Sequence, residues 1–254
     1  MINVLGAYKL NTADFSNNFL KTLPFDLFKR NHVMTKIDLS NNQIKIVPPR
    51  LLLGLNLLEE ISFAHNRINS INKLLFKDCA SLRRLDLSHN NILTLTKWNV
   101  KNILALEYLD VNHNRLRDLG GMNFEGRNLK YIDLSNNNLD KLQSTVFNHL
   151  ENVEKMNLAF NSLPYLSLAF TNKLENVKDL DLSHNKFKTL REEQFKRNKQ
   201  LKKLLLDHNS LNQIPINVFG NCSKLCKFTP PKLSCLILSI MHLAIKSDML
   251  NGND

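Results

Sequence analysis

Residues 82–95 read LRRLDLSHNNILTL and residues 177–190 read VKDLDLSHNKFKTL. Both fit one unit, L-x-x-L-x-L-x-x-N-x-L-x-x-L. The Asn of that unit falls at Asn18, Asn42, Asn66, Asn90, Asn114, Asn137, Asn161, Asn185 and Asn209. The intervals are 24, 24, 24, 24, 23, 24, 24 and 24 residues. A fixed period of this length is the mark of a stacked-repeat architecture.

Each part of the unit has a physical job. The x-L-x-L-x stretch alternates with period two, which predicts a short strand with its Leu pair facing inward. The Asn stands where the chain turns out of the strand, and its amide can satisfy backbone groups that would otherwise be buried unpaired. Ten residues after the Asn runs a second apolar column: Phe28, Leu52, Phe76, Val100, Phe124, Phe147, Phe195 and Phe219. The seventh repeat puts Thr171 there, with Phe170 one residue early. This column predicts a stacked spine behind the strands.

Composition agrees. The 254 residues hold 48 Leu and 36 Asn but only 7 Gly, which leaves little material for glycine-rich phosphate loops, collagen or flexible linkers. At 43% hydrophobic the chain is too apolar to be disordered throughout. No run of about 18 apolar residues is present, so no complete transmembrane helix is expected. The opening MINVLGAYKLNTADF lacks the basic start of a secretory signal.

Over roughly residues 10–228 the pattern resembles the leucine-rich repeat family, in its typical 24-residue class. That class is common in animal ectodomains such as Toll-like receptors, Slit-type proteins and insect leucine-rich immune proteins. The resemblance implies an α/β-type solenoid: a curved, right-handed horseshoe of about nine repeats with a parallel sheet on its concave face. It also implies non-enzymatic recognition of a protein ligand or co-receptor, in an extracellular or secreted setting. Extracellular members usually carry cysteine-rich caps. Here no Cys precedes Cys79, and Cys222, Cys226 and Cys235 do not match the usual cap pattern. A cytoplasmic scaffold therefore stays open as an alternative.

The expected organisation is a solenoid over residues 1–228 and a tail over residues 229–254. The repeat stops at Pro230-Pro231, and residues 233–245 carry no formal charge, which suits a cap over the last repeat, with a truncated membrane anchor or non-native sequence as the open alternatives. Cys79 and Cys222 share one repeat position six repeats apart. That is about 29 Å at a strand spacing of about 4.8 Å, too far for a disulfide. Both read as buried thiols, and a Cys226–Cys235 bridge stays open.

No catalytic constellation is present, and no cofactor is implied. A strand column reads Asp14, Asp38, Ser62, Asp86, Asp110, Asp133, Asn157, Asp181, Leu205. The column before the ladder Asn reads Asn17, Asn41, His65, His89, His113, Asn136, Phe160, His184, His208. Carboxylates beside imidazoles could suggest a metal row, but such wording is ordinary for these repeats, and no metal site is assigned. Adjacent Asp residues are expected to raise one another's pKa, and the imidazoles to be favoured as cations.

The net charge is +11. Much of it falls just after the ladder Asn, at Lys21, Lys45, Arg67, Arg115, Arg117, Lys141, Lys186 and Lys188. This basic lateral edge suits an anionic polymer such as nucleic acid, the alternative partner. Large side chains at outward strand positions are rarer. Tyr108 and Tyr131 share one outward position, preceded by Arg84 and followed by Lys155. With His113 and Phe160 they form the expected protein-binding patch, since Tyr, Phe and Arg are common interface anchors. Three of the seven glycines, Gly120, Gly121 and Gly126, fall in the one 23-residue repeat, where a loop is expected to bend.

Overall fold

The computed structural model describes residues 10–95, 103–119, 127–142 and 149–229. The glycines of the short repeat, the spine positions 100, 124 and 147, and the tail beyond residue 229 lie outside them. Ten three-residue strands form one parallel sheet in chain order. They are β1 Thr12–Asp14, β2 Lys36–Asp38, β3 Glu60–Ser62, β4 Arg84–Asp86, β5 Tyr108–Asp110, β6 Tyr131–Asp133, β7 Lys155–Asn157, β8 Asp179–Asp181, β9 Lys203–Leu205 and β10 Lys227–Thr229. The register follows the repeat: Arg84 faces Tyr108, which faces Tyr131, which faces Lys155. The result is the leucine-rich repeat solenoid, one strand more than the nine expected. The extra strand forms because Phe228 continues the inward column and is pinned by Cys226 N–H and Lys227 N–H donating to Lys202 C=O at 3.0 Å each.

Each strand places one apolar side chain inward, and Leu85, Leu109, Ile132 and Leu204 are fully buried. The spine behind them is continuous where it is described: Phe28, Leu52, Phe76 and Phe195 are at most 1% exposed. The seventh repeat differs. Its back carries the one helix among the described residues, α1 Leu168–Thr171, capped by Ser167 Oγ accepting from Phe170 N–H. Phe170 takes the spine site. Thr171 is buried beside it because its hydroxyl accepts from the buried Gln194 side chain at 3.2 Å. Cys79 and Cys222 are buried, unbridged thiols. Burial pushes them up to about 12 and about 11 respectively, so neither is a nucleophile near neutral pH.

Two turn devices recur at the ends of the strands. The first uses the outward Asp: its Oδ1 accepts the backbone N–H two residues on, from Asp14 to Ser16, Asp38 to Ser40, Asp86 to Ser88, Asp110 to Asn112, Asp133 to Ser135 and Asp181 to Ser183. This local bond offers the backbone a turn in place of more strand. The second is a left-handed residue. All nine positions from Asn17 to His208 have φ between 49° and 55°. Asn and His tolerate that region better than most residues, which accounts for the Asn/His column; Phe160 is the exception.

The ladder Asn then ties repeats together. Asn114 Oδ1 accepts Ile92 N–H of the preceding repeat at 2.9 Å. Its Nδ2 donates to Leu87 C=O, also of the preceding repeat, at 2.9 Å, and to Val111 and Asn112 C=O of its own turn. The same set recurs at Asn42, Asn66, Asn90, Asn137, Asn161 and Asn185, all at most 9% exposed.

Asn114→Ala orphans one buried group across a repeat boundary, the Ile92 N–H, at a cost of about 1–3 kcal/mol; Leu87 C=O keeps the Asn90 amide as a donor. Asn18 is exposed and donates only to Phe15 and Ser16 C=O in its own turn. Denaturant unfolding should therefore show a loss of about 1–3 kcal/mol for Asn114→Ala and a loss under about 1 kcal/mol for Asn18→Ala. Equal losses would mean that the inter-repeat bonds are not what the ladder contributes.

Candidate functional site

Three rows of side chains run across the strands. The first occupies the outward position at the start of each strand and alternates in charge. Lys36 pairs with Glu60 at 3.0 Å and Lys155 with Asp179 at 3.6 Å. Between these pairs stands a stack: the Arg84 guanidinium lies 3.5 Å from the Tyr108 ring centroid. The Tyr108 and Tyr131 rings are parallel to within 3° with centroids 4.4 Å apart. Parallel in-register strands place the rings at one height, which permits face-to-face contact.

Outward strand position alone suggests free, exposed tyrosines. Both are instead half-buried. The rings cover each other, and their hydroxyls dock on the next row: Tyr108 donates to Asp110 Oδ2 at 3.1 Å and Tyr131 to Asp133 Oδ2 at 3.2 Å. With Oδ1 already in the turn bond, both oxygens of these carboxylates are engaged. Burial pushes Asp110 up to about 6, against the lowering effect of the Asn112 N–H, and the Asp133 and Asp86 charges add to the rise. Burial also raises both phenols, helped by the adjoining Asp.

The carboxylate row is interrupted at Ser62 and Asn157, and the sheet is dented at each. One dent, about 210 Å³, is lined by Lys36, Asp38, Glu60, Ser62, Arg84 and Asp86. The other, about 130 Å³, is lined by Tyr131, Lys155, Asn157, Asp179, Asp181 and Lys203. The tyrosine stack is the ridge between them. Sequence reasoning missed this relief, although the substitutions at 62 and 157 signal it.

The third row is the left-handed column. His65, His89 and His113 stack at 4.0 and 4.2 Å; Phe160, His184 and His208 stack at 3.9 and 4.0 Å. The expected cationic preference is reversed at His89, which burial holds below the ordinary imidazole value, with His65 and His113 pushing the same way. Phe160 is 49% exposed and lies five residues along the chain from Lys155. The six expected patch residues thus divide. Arg84, Tyr108, Tyr131 and Lys155 form one row across β4–β7, whereas His113 and Phe160 belong to the turn column. Beside that column, Lys21, Lys45, Arg67, Arg115, Arg117, Lys186 and Lys188 are all exposed. None of the ion pairs among the described residues involves them; Lys141 alone on this edge reaches a carboxylate, Asp118 at 4.0 Å.

Residues 9–68, 57–116, 104–163 and 167–211 match the leucine rich repeat family. The chain belongs to that family. No curated protein sequence matches it. Among solved structures, it is similar to TLR13, determined as a complex with the single-stranded RNA ssRNA13. The identity is 28% and the TM-score 0.76, over 86% of this chain and 32% of that one. The leucine-rich repeat domain of APL1B is 19% identical with a TM-score of 0.70, over 90% and 78% of the two chains. Drosophila Toll, in its complex with Spatzle, is 18% identical with a TM-score of 0.60, over 86% and 36%. The chain spans about a third of the TLR13 chain's length. No helix among the described residues is long and apolar enough to cross a membrane.

A carboxyl raised by its folded surroundings binds protons more tightly folded than unfolded, so stability falls as pH rises from about 4 to about 6 and stays reduced above that range. Asp110→Asn keeps the acceptor for Asn112 N–H and can still bond the Tyr108 hydroxyl, but carries no charge. It should raise stability by about 1–3 kcal/mol at pH 7.5 and change it little at pH 4. Denaturant unfolding at both values checks this; a loss at pH 7.5 would mean that the ionised carboxylate is itself stabilising.

Proposed function

We propose that this chain is a non-enzymatic, receptor-type recognition module that binds a protein partner on its concave sheet. The observation that carries the reading is the rigid Arg84–Tyr108–Tyr131 stack standing between two charged dents. A partner meets a pre-ordered aromatic ridge whose side chains have already lost their rotamer freedom, which lowers the entropic cost of association. Its basic groups have somewhere to go, because Asp38 and Asp86 each commit one oxygen to a turn and keep the other at the first dent. Phe160 supplies a second anchor at the sheet's lateral edge. A bulky residue in the left-handed region costs about 1–2 kcal/mol, and one that is also exposed is better explained by a partner than by the fold. An extracellular setting and a role in innate immunity are the context that the structural relatives support.

One observation favours a second reading, binding of an anionic polymer. The exposed cations of the lateral edge lie beside a column of stacked rings, and the structure with 28% identity is a complex with single-stranded RNA. Charged grooves flanked by rings are how single-stranded nucleic acid is held.

Two variants separate these readings and spare the fold. Phe160→Asn installs the residue that Asn17, Asn41 and Asn136 already use in this column, so stability should stay within about 1 kcal/mol. Under the protein reading, a photo-cross-linker at position 108 or 160 captures a discrete protein, and Phe160→Asn weakens its binding about tenfold or more with little dependence on salt. Under the polymer reading, a single-stranded RNA oligonucleotide binds, and Lys186→Glu with Lys188→Glu abolishes that binding and flattens its steep salt dependence. Salt-independent binding unaffected by Phe160→Asn would overturn the placement of the site.

A further inference from the structure

The residue just before the left-handed position is Ser16, Ser40, Ala64, Ser88, Asn112, Ser135, Ala159 and Ser183 in the first eight repeats. In the ninth it is Asp207. The strand position that normally holds the turn-forming Asp is there Leu205, so Asp207 is not taken up by that turn device. Its Oδ1 accepts the Thr229 hydroxyl at 2.8 Å, and its Oδ2 lies 2.9 Å from His208 Nδ1. The His208 ring stacks on His184 with centroids 4.0 Å apart. One ligand atom from each of His184, Asp207 and His208 lies within 4.8 Å of the others.

We propose that His184, Asp207 and His208 form a binding site for a divalent first-row transition ion of the Zn2+ type, bridging the eighth and ninth repeats. Two imidazoles with one carboxylate are a donor set that suits Zn2+ and its neighbours and discriminates against Ca2+ and Mg2+, which prefer all-oxygen sites. Tetrahedral bonds of about 2.0–2.2 Å place ligand atoms about 3.4 Å apart. The Asp207–His208 pair, at 2.9 Å, opens slightly, the other separations close by at most about 1.4 Å from their 4.8 Å limit, and the rings fan out of their stack. His208 can make this movement, since its side chain is 55% exposed. Asp207 is held in place by Thr229 on the next strand. Three protein ligands leave a fourth position open for water or a partner's side chain. His65, His89 and His113 stack just as closely but have Ala64, Ser88 and Asn112 where Asp207 stands, so they form an internal control. The site is independent of the ridge and of the basic edge.

The test is titration of the full chain with Zn2+, and with Co2+ followed by its visible absorption, at pH 7.5. One equivalent is expected to bind and to raise the thermal midpoint, because the ion binds only the folded chain. Asp207→Ser, His184→Asn and His208→Asn each install a residue that this or the neighbouring column already uses, so the fold is retained. Each should weaken binding about 10- to 100-fold and abolish the thermal shift. His89→Asn and the double variant Cys226→Ser, Cys235→Ser should bind as the parent does. Absence of saturable uptake, equal binding by Asp207→Ser, or loss of binding in the cysteine variant would each overturn the assignment.

Discussion

A single side chain, the ladder Asn, governs how this chain stacks. Every strand among the described residues is only three residues long, so no repeat can sustain a sheet alone, and the sharp turn after each strand would bury unpaired backbone. The Asn amide resolves both problems with one group. It closes its own turn through two carbonyls and reaches back to a carbonyl and an N–H of the preceding repeat. Cooperativity between neighbours is thus partly a polar interaction, laid over the burial of the Leu columns. Solenoid stability is a sum of unit and neighbour terms, and here the neighbour term has an identifiable chemical source.

That constraint fixes what the recognition surface can be. Because the register is locked at one repeat per strand, any residue type repeated at one position becomes a row with rungs about 4–5 Å apart. Rings at that spacing stack, unlike charges pair, and like groups repel or lose their charge. The tyrosines, the imidazoles and the Lys–Glu and Lys–Asp pairs are all products of the same spacing. Row position also decides solvent exposure: a tyrosine between an arginine and another tyrosine is half-covered before any partner arrives.

The periodicity made the fold legible to within one strand, because inward Leu, turn Asn and spine Phe are each dictated by the repeat. Cys79 and Cys222 were readable as buried thiols for the same reason. The candidate site was legible only in part. Tyr108 and Tyr131 stood out as unusual residues at outward positions, but alternation cannot reveal that their hydroxyls would dock on Asp110 and Asp133. The carboxylate column reads as ordinary repeat wording, but alternation does not show that one oxygen of each Asp is committed to a turn. His113 and Phe160 stand in the column before the ladder Asn both in the sequence and in the structure, so the expected patch spans two rows. The most informative signals were departures from the repeat's own wording: Ser62, Asn157, Phe160 and Asp207. A sequence without a second copy to compare cannot show such departures, but a repeat protein carries its own alignment.

Phe160 shows how such departures can be weighed. Its backbone takes the same left-handed turn as the other eight residues of the column, at φ 54°. The turn is therefore imposed by the repeat, and Phe160 is tolerated within it. Stacking on His184 offsets about 0.5–1.5 kcal/mol against a conformational cost of about 1–2 kcal/mol, so the fold gains nothing net from the ring. Half of the ring faces water, where it adds no burial. Asn at this position would satisfy the fold at least as well. When the cheaper residue is available in the chain's own vocabulary and is not used, the fold alone does not account for the ring, and that shortfall is the physical basis for proposing Phe160 as an anchor.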